Sequence, residues 1–152
     1  IVDSLKYNMR SQIFAKSLPM PMVIGALKRL DILQNRPEIK ENLWKIAKAL
    51  QDGLVAEGFN IGNTQSPVTP VYFSGSVPEG TNIVIDLREN HNVFCSIVVY
   101  PVVPKDVLML RLIPTASHTM NEVNETIEVF KKIKVNLEAG KYISDEMRSM
   151  TR

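Results

Sequence analysis

The sequence predicts an α+β fold, an α/β layer in which a small, mainly antiparallel sheet of three to four strands is covered by helices on one face. Three observations carry that expectation. Phe94 to Val99 and Leu108 to Ile113 are short runs rich in β-branched and aromatic residues, and Val71-Tyr72-Phe73 is a third, so all three read as strands. Long stretches with apolar residues at the helical period stand before the first strand and after the last. The chain has 152 residues, 45% hydrophobic and 22% charged, enough to bury one core of ordinary size.

In chain order, Asp3 is placed to cap a short helix running to about Arg10, with Leu5 and Met9 on one side. Residues 11 to 18 read as an extended connection. Pro19 and Pro21 suit the first turn of a helix whose Met22, Val23, Ala26, Leu27, Leu30 and Leu33 follow the 3.6 period, a stripe expected to enter the core. Asn35-Arg36-Pro37 opens a longer helix. Its buried stripe is Ile39, Leu43, Ile46, Ala47, Leu50 and Leu54, with Trp44 packed beside it and Gly58 as its stop. Asn60 to Pro70 has loop chemistry, and Gly75 to Gly80 reads as another turn, without the spacing of a nucleotide phosphate loop. At the far end, Thr119 and Glu122 form a capping box for a helix with Met120, Val123, Ile127, Phe130, Ile133 and Leu137 on one face and a Glu128–Lys132 pair on the other. Gly140 ends it. The organisation expected is a connection over 1–18, a small domain over 19–140 and a polar tail over 141–152.

The stretch Val93 to Thr119 is the most informative. Between its two strands, Tyr100-Pro101-Val102-Val103-Pro104-Lys105-Asp106 forms a corner whose prolines fix φ and remove donors, so it is expected to be stiff, exposed and outside any ladder. In the second strand the period of two sends Leu108, Leu110 and Leu112 to one face and Met109, Arg111 and Ile113 to the other. Arg111 thus interrupts an apolar strand. A guanidinium stays charged, so it either faces solvent, pairs with a carboxylate of its own fold, or forks onto a ligand carboxylate or phosphate.

Composition excludes several classes of function. A net charge of +2 with scattered lysines gives neither a nucleic-acid surface nor a polybasic membrane patch. One cysteine, Cys95, allows no disulfide framework and points to a reducing cytoplasm. No apolar run approaches the ~20 residues needed for an integral membrane segment. Two histidines 27 residues apart make no metal site. His118 stands next to the helix cap, where a structural role is expected.

The wording YPVVPKDVLMLRLIPTASHT, together with Tyr7-Asn8-Met9-Arg10 and Ile13-Phe14-Ala15-Lys16-Ser17-Leu18-Pro19, resembles the C-terminal end of the α-oxoamine synthases. These are pyridoxal-phosphate acyltransferases and include 2-amino-3-ketobutyrate CoA ligase (glycine C-acetyltransferase) and serine palmitoyltransferase. The resemblance covers nearly all of the chain and weakens after about Leu137. It implies the small C-terminal domain of a fold-type I pyridoxal-phosphate enzyme, the last third of a longer homodimeric polypeptide. It also asks for a helix over Ile83 to Glu89, although β-branched Val84 and Ile85 lower its propensity, with a stop at Asn90 to Asn92.

For function, the resemblance implies condensation of a small amino acid with an acyl-CoA. The corner most resembles that of 2-amino-3-ketobutyrate CoA ligase, using glycine and acetyl-CoA, with the serine and long-chain acyl-CoA of serine palmitoyltransferase close behind. Arg111 matches the arginine that pairs with the amino-acid carboxylate. Tyr100, Pro101 and Pro104 match a mobile loop over the acyl-CoA. Ser17, and Lys16 beside it, fall where a Ser/Thr-rich triplet reaches the cofactor phosphate of the other subunit, though Ala15 and Lys16 depart from that pattern. The Schiff-base lysine is expected upstream, so this chain alone is expected to be inactive and not to hold the cofactor. From another class, a non-catalytic α+β ligand-binding or regulatory module stands as the alternative.

Overall fold

The structure, a computed structural model, describes residues 1–143, and the remainder of the expected tail lies outside them. The chain divides into two compact units, Ile1–Pro37 and Glu38–Arg152.

The first unit holds α1 (Val2–Asn8), α2 (Arg10–Ile13) and α3 (Met20–Asn35). Ile1, not Asp3, is the residue before the first turn of α1; Asp3 sits inside that turn, where a carboxylate favours the helix dipole, and accepts from Lys6 at 3.0 Å. The expected extended connection is partly helical, because Met9 adopts an extended conformation and the chain restarts as a turn at Arg10. Pro19 precedes α3 and Pro21 lies in its first turn, as expected. Its apolar stripe, however, does not enter a core: Met22, Leu27 and Leu33 are 60%, 62% and 64% exposed, and no residue of α3 is buried. The unit's other helices, of seven and four residues, are too short to cover one of sixteen.

The second unit contains α4 (Pro37–Ala56), β1 (Thr69–Ser74), α5 (Val77–His91), β2 (Ser96–Val98), β3 (Val107–Leu112) and α6 (Met120–Glu138). Helix α4 buries Ile46, Ala47, Leu50 and Leu54, the centre of its expected stripe. Trp44 is exposed and does not pack as expected. Gly58, at φ +78°, follows the end of the helix.

The sheet order is β1-β3-β2, antiparallel throughout, which bears out the α+β prediction at three strands. Leu108, Leu110 and Leu112 are buried, while Arg111 is exposed, so the two faces of β3 are those the alternation gives. Strand β2 is shorter than expected, and Phe94 lies exposed outside it. Ladder pairing stops before Tyr100-Pro101, where proline offers no donor.

Helix α5 begins six residues earlier than the sequence suggested, so the expected turn at Gly75–Gly80 is corrected. Ser76 and Glu79 form a capping box: the Ser76 N–H donates to Glu79 Oε2 at 2.9 Å, and Ser76 Oγ accepts from the Glu79 N–H. Asn92, at φ +55°, ends the helix as expected. Gly80 sits where any Cβ would collide with Ile97 and Leu108, which lets α5 lie directly on β2 and β3.

The core joins α4, α5 and α6 to one sheet face through Leu50, Leu54, Val71, Ile83, Leu87, Leu110, Phe130 and Ile133. Phe130 meets Phe59 edge to face at 5.6 Å between ring centres. The Thr119–Glu122 capping box stands as expected. Glu128 pairs with Lys131, not Lys132, and Lys131 also reaches Glu57 at 3.0 Å. The polar tail is corrected at its start. Tyr142 is buried and donates to Asp86 at 2.6 Å, while its carbonyl accepts from Asn82 at 2.9 Å.

Candidate functional site

Because β3 is the central strand, its second face is bordered on both sides. Pairing puts Pro70 of β1 and Ser96 of β2 directly opposite Arg111, and Tyr72 and Val98 directly opposite Met109. None of these residues belongs to the core. The result is a shallow face of half-buried apolar groups around one exposed arginine. Tyr72 is fixed at its back, where its N–H donates to the Asn60 carbonyl at 2.9 Å and its ring lies against Gly62.

Arg111 Nε donates to Ser96 Oγ at 3.1 Å. Among the described residues no carboxylate stands within 4.0 Å of its guanidinium, so none of them pairs with it. Ser96 was not foreseen. It lies next to buried Cys95 and points to the opposite side, but only the register of β2 against β3 reveals that it faces Arg111. Burial pushes the Cys95 thiol up to about 11, so it is a protonated core group.

The proline corner lies beyond the ladder, as expected. Tyr100 is exposed, with Lys105 Nζ 5.5 Å from its ring centre, and the Tyr100–Pro101 peptide is cis. Pro101 and Pro104 are exposed. The corner is less free than its sequence suggests: Val103 is buried, and the Val102 and Val107 N–H groups donate to the Val99 and Pro104 carbonyls. Lys16 and Ser17 belong to the first unit, in the segment before α3, and both are exposed.

A cleft of about 410 Å³ lies elsewhere in the second unit, lined by His91, Phe94, Leu112, Pro114, His118 and Glu122 among others. None of the residues singled out in the sequence as a binding residue lines it. His118 Nδ1 accepts from the Thr115 N–H at 2.8 Å and fixes the loop before α6, the structural role expected. Among the described residues no cluster of histidine, cysteine and carboxylates could hold a metal ion. A pyridoxal-phosphate cradle needs an enclosed lysine and a carboxylate against the ring nitrogen. Thr69 is the one buried polar residue among those described, so the side chains here do not fit that group by themselves. No helix is long and apolar enough to cross a membrane among the described residues.

Taken together, fold and site define a helix-backed antiparallel α+β domain with one exposed arginine on the sheet face opposite its core. Compared with known proteins, the chain is 54% identical over 142 residues to a cysteate-C-fatty acyltransferase of Capnocytophaga ochracea, covering 93% of this chain and 34% of that protein. It is 34% identical over 139 residues to a serine palmitoyltransferase of Sphingobacterium spiritivorum, covering 89% of this chain and 34% of the relative. The solved serine palmitoyltransferase of S. paucimobilis with a bound PLP–myriocin aldimine superposes with a TM-score of 0.73 at 25% identity, over 86% of this chain and 33% of that one. No family model matches the chain. The chain belongs to the α-oxoamine synthase family, as a counterpart of its C-terminal domain, and spans about a third of the length of the curated relatives it matches.

Proposed function

We propose that this chain is the substrate-carboxylate lobe of a pyridoxal-phosphate-dependent acyltransferase that joins an amino acid to an acyl-CoA. The observation that carries the proposal is Arg111, exposed on the sheet face opposite the core, with no carboxylate among the described residues within 4.0 Å. A guanidinium so placed binds the planar α-carboxylate through two parallel hydrogen bonds and thereby orients the α-carbon. The apolar groups around it, Met109 and Val98, border the ligand with few competing polar atoms. The corner with Tyr100, Pro101 and Pro104 is assigned to the acyl-CoA side. Lys16 and Ser17 are assigned to the cofactor phosphate of a partner subunit in a homodimer.

Pyridoxal phosphate would supply the electron sink for the α-carbon of the whole enzyme, and its Schiff-base lysine is placed outside this chain. On that account the isolated chain is inactive. For substrate, the sequence favoured glycine and acetyl-CoA. The relative at 54% identity is named for cysteate and a fatty acyl group, and that at 34% for serine and palmitate, so a three-carbon polar amino acid with a long-chain acyl donor is the better-supported pair.

In the intact enzyme, Arg111→Lys keeps the charge but loses the fork, and amino-acid binding is expected to weaken by ~1–3 kcal/mol. Because Arg111 is exposed, melting without substrate is expected to shift by less than about 0.5 kcal/mol equivalent. Titration of the amino acid against wild type and variant, with parallel thermal melts, checks both; an unchanged amino-acid dissociation constant would remove the carboxylate role.

A further inference from the structure

The guanidinium of Arg111 has five N–H donors in a rigid plane: one on Nε and two on each Nη. It can meet a carboxylate side-on, through Nε and one Nη, or end-on, through both Nη groups. Here the Nε donor is already committed to Ser96 Oγ at 3.1 Å. Ser96 is no incidental neighbour, because the antiparallel register places it directly across from Arg111, and β2 is held to β3 on either side of the helix-facing pair Ile97–Leu110. On the opposite flank stands Pro70, whose ring carries no side-chain donor or acceptor to compete for the guanidinium. Two residues back on the same face of β3 is Met109, which is likewise uncharged.

We propose that Ser96 is the positioning residue of the site: by accepting the hydrogen bond from the Arg111 Nε–H it turns the guanidinium so that its two Nη groups face outward, and the amino-acid carboxylate binds end-on. This deepens the carboxylate role proposed for Arg111 and rests on it. The hydroxyl also contributes to discrimination. A substrate anion that needs the side-on edge finds it occupied, whereas a planar carboxylate approaching along the arginine axis does not. The pre-set rotamer lowers the entropy that a long, exposed side chain would otherwise lose on binding.

The test uses the full-length enzyme with its cofactor. Ser96→Ala is expected to raise KM for the amino acid roughly 3- to 10-fold, the range for one hydrogen bond, with KM for the acyl-CoA and the melting temperature unchanged. Ser96→Thr, which keeps the hydroxyl in a strand-compatible side chain, is expected to restore the amino-acid KM. Since lysine has no Nε in a fork, Ser96→Ala added to Arg111→Lys is expected to change the amino-acid KM less than twofold further, the signature of two residues acting as one unit. If Arg111→Lys alone weakens the amino acid while Ser96→Ala does not, the positioning role is overturned and the carboxylate role stands. If Arg111→Lys has no effect, both fall. A full additive loss in the double variant would mean that Ser96 acts independently of the arginine, which also overturns the proposal.

Discussion

Helices α3 and α4 follow one another in the chain, and both carry an apolar stripe, yet they meet opposite fates. In α4 the stripe is continuous with the core, and Leu54 and Ala47 are fully buried. In α3 every large apolar residue named in the sequence stripe is exposed except the half-buried Val23. The apolar residues of α4 fall on one side with lysines and glutamates on the other; those of α3, including Ile24 and Met20, are spread around the helix. With Lys28, Arg29 and Asp31 among them, these apolar residues form no single face that the two short helices of the first unit could bury. Periodicity therefore identifies both helices, but it does not say whether the surface that covers one is present in the same chain.

The contrast can be broken most severely in the second unit. Phe130, at 0% exposure and in edge contact with Phe59, joins α6 to the loop after α4. Phe130→Ala is expected to cost ~3–5 kcal/mol, read by urea or thermal unfolding of the 152-residue chain. A loss below ~1 kcal/mol would mean that this core is no better ordered than the first unit.

A smaller effect is expected at Tyr142, which ties the end of α6 to α5. Burial first, and then its hydrogen bond to Asp86, push the phenol from 10.0 up to about 12. Raised in the folded state, this group contributes stability that is complete below its unfolded pKa and is lost as pH rises between 10 and 12. For Asp86 burial pulls upward, but hydrogen bonds from Tyr142 and Asn90 and the charges of His91 and Lys141 outweigh it, leaving the carboxyl below its ordinary value. Its contribution is therefore present above the ordinary carboxylate range and is lost as pH falls through the depressed value. Tyr142→Phe is expected to cost ~1–2 kcal/mol at neutral pH and to flatten the alkaline fall in melting temperature. An unchanged alkaline limb in the variant would show that the phenol is not the titrating group.

Much of the fold was legible because its signals are local. The strand alternation of Leu108, Leu110 and Leu112, the Thr119–Glu122 capping box and the Gly58 and Gly140 stops each depend on a few neighbouring residues. The start of α5 was equally local, in Ser76 and Glu79, but a Gly- and Pro-rich setting read as a turn. Tyr142 could not be placed from its polar surroundings, since its partners Asp86 and Asn82 are distant in sequence. Arg111 stood out as a charge within an apolar strand. Ser96 did not, because its meaning depends on strand register, a non-local quantity.

The smallest effect on stability is expected in α3, and it is the one that tests the contrast directly. Leu27 and Leu30 are 62% and 51% exposed, so replacing both with glutamate should change the unfolding free energy of the 152-residue chain by no more than about 0.5 kcal/mol per site. The same change should alter assembly. With Ile13, Phe14, Leu18, Met20 and Met22 also exposed, the chain carries more apolar surface at this end than a monomer normally leaves in water, and it is expected to self-associate at tens of micromolar. Two glutamates on α3 place like charges face to face in any such contact and should shift the sedimentation profile toward monomer. Analytical ultracentrifugation of both forms distinguishes the cases. A sharp monomer already in the wild type would show that α3 is covered within the chain itself, and the double glutamate variant would then lose several kcal/mol of stability by forcing charge into that contact.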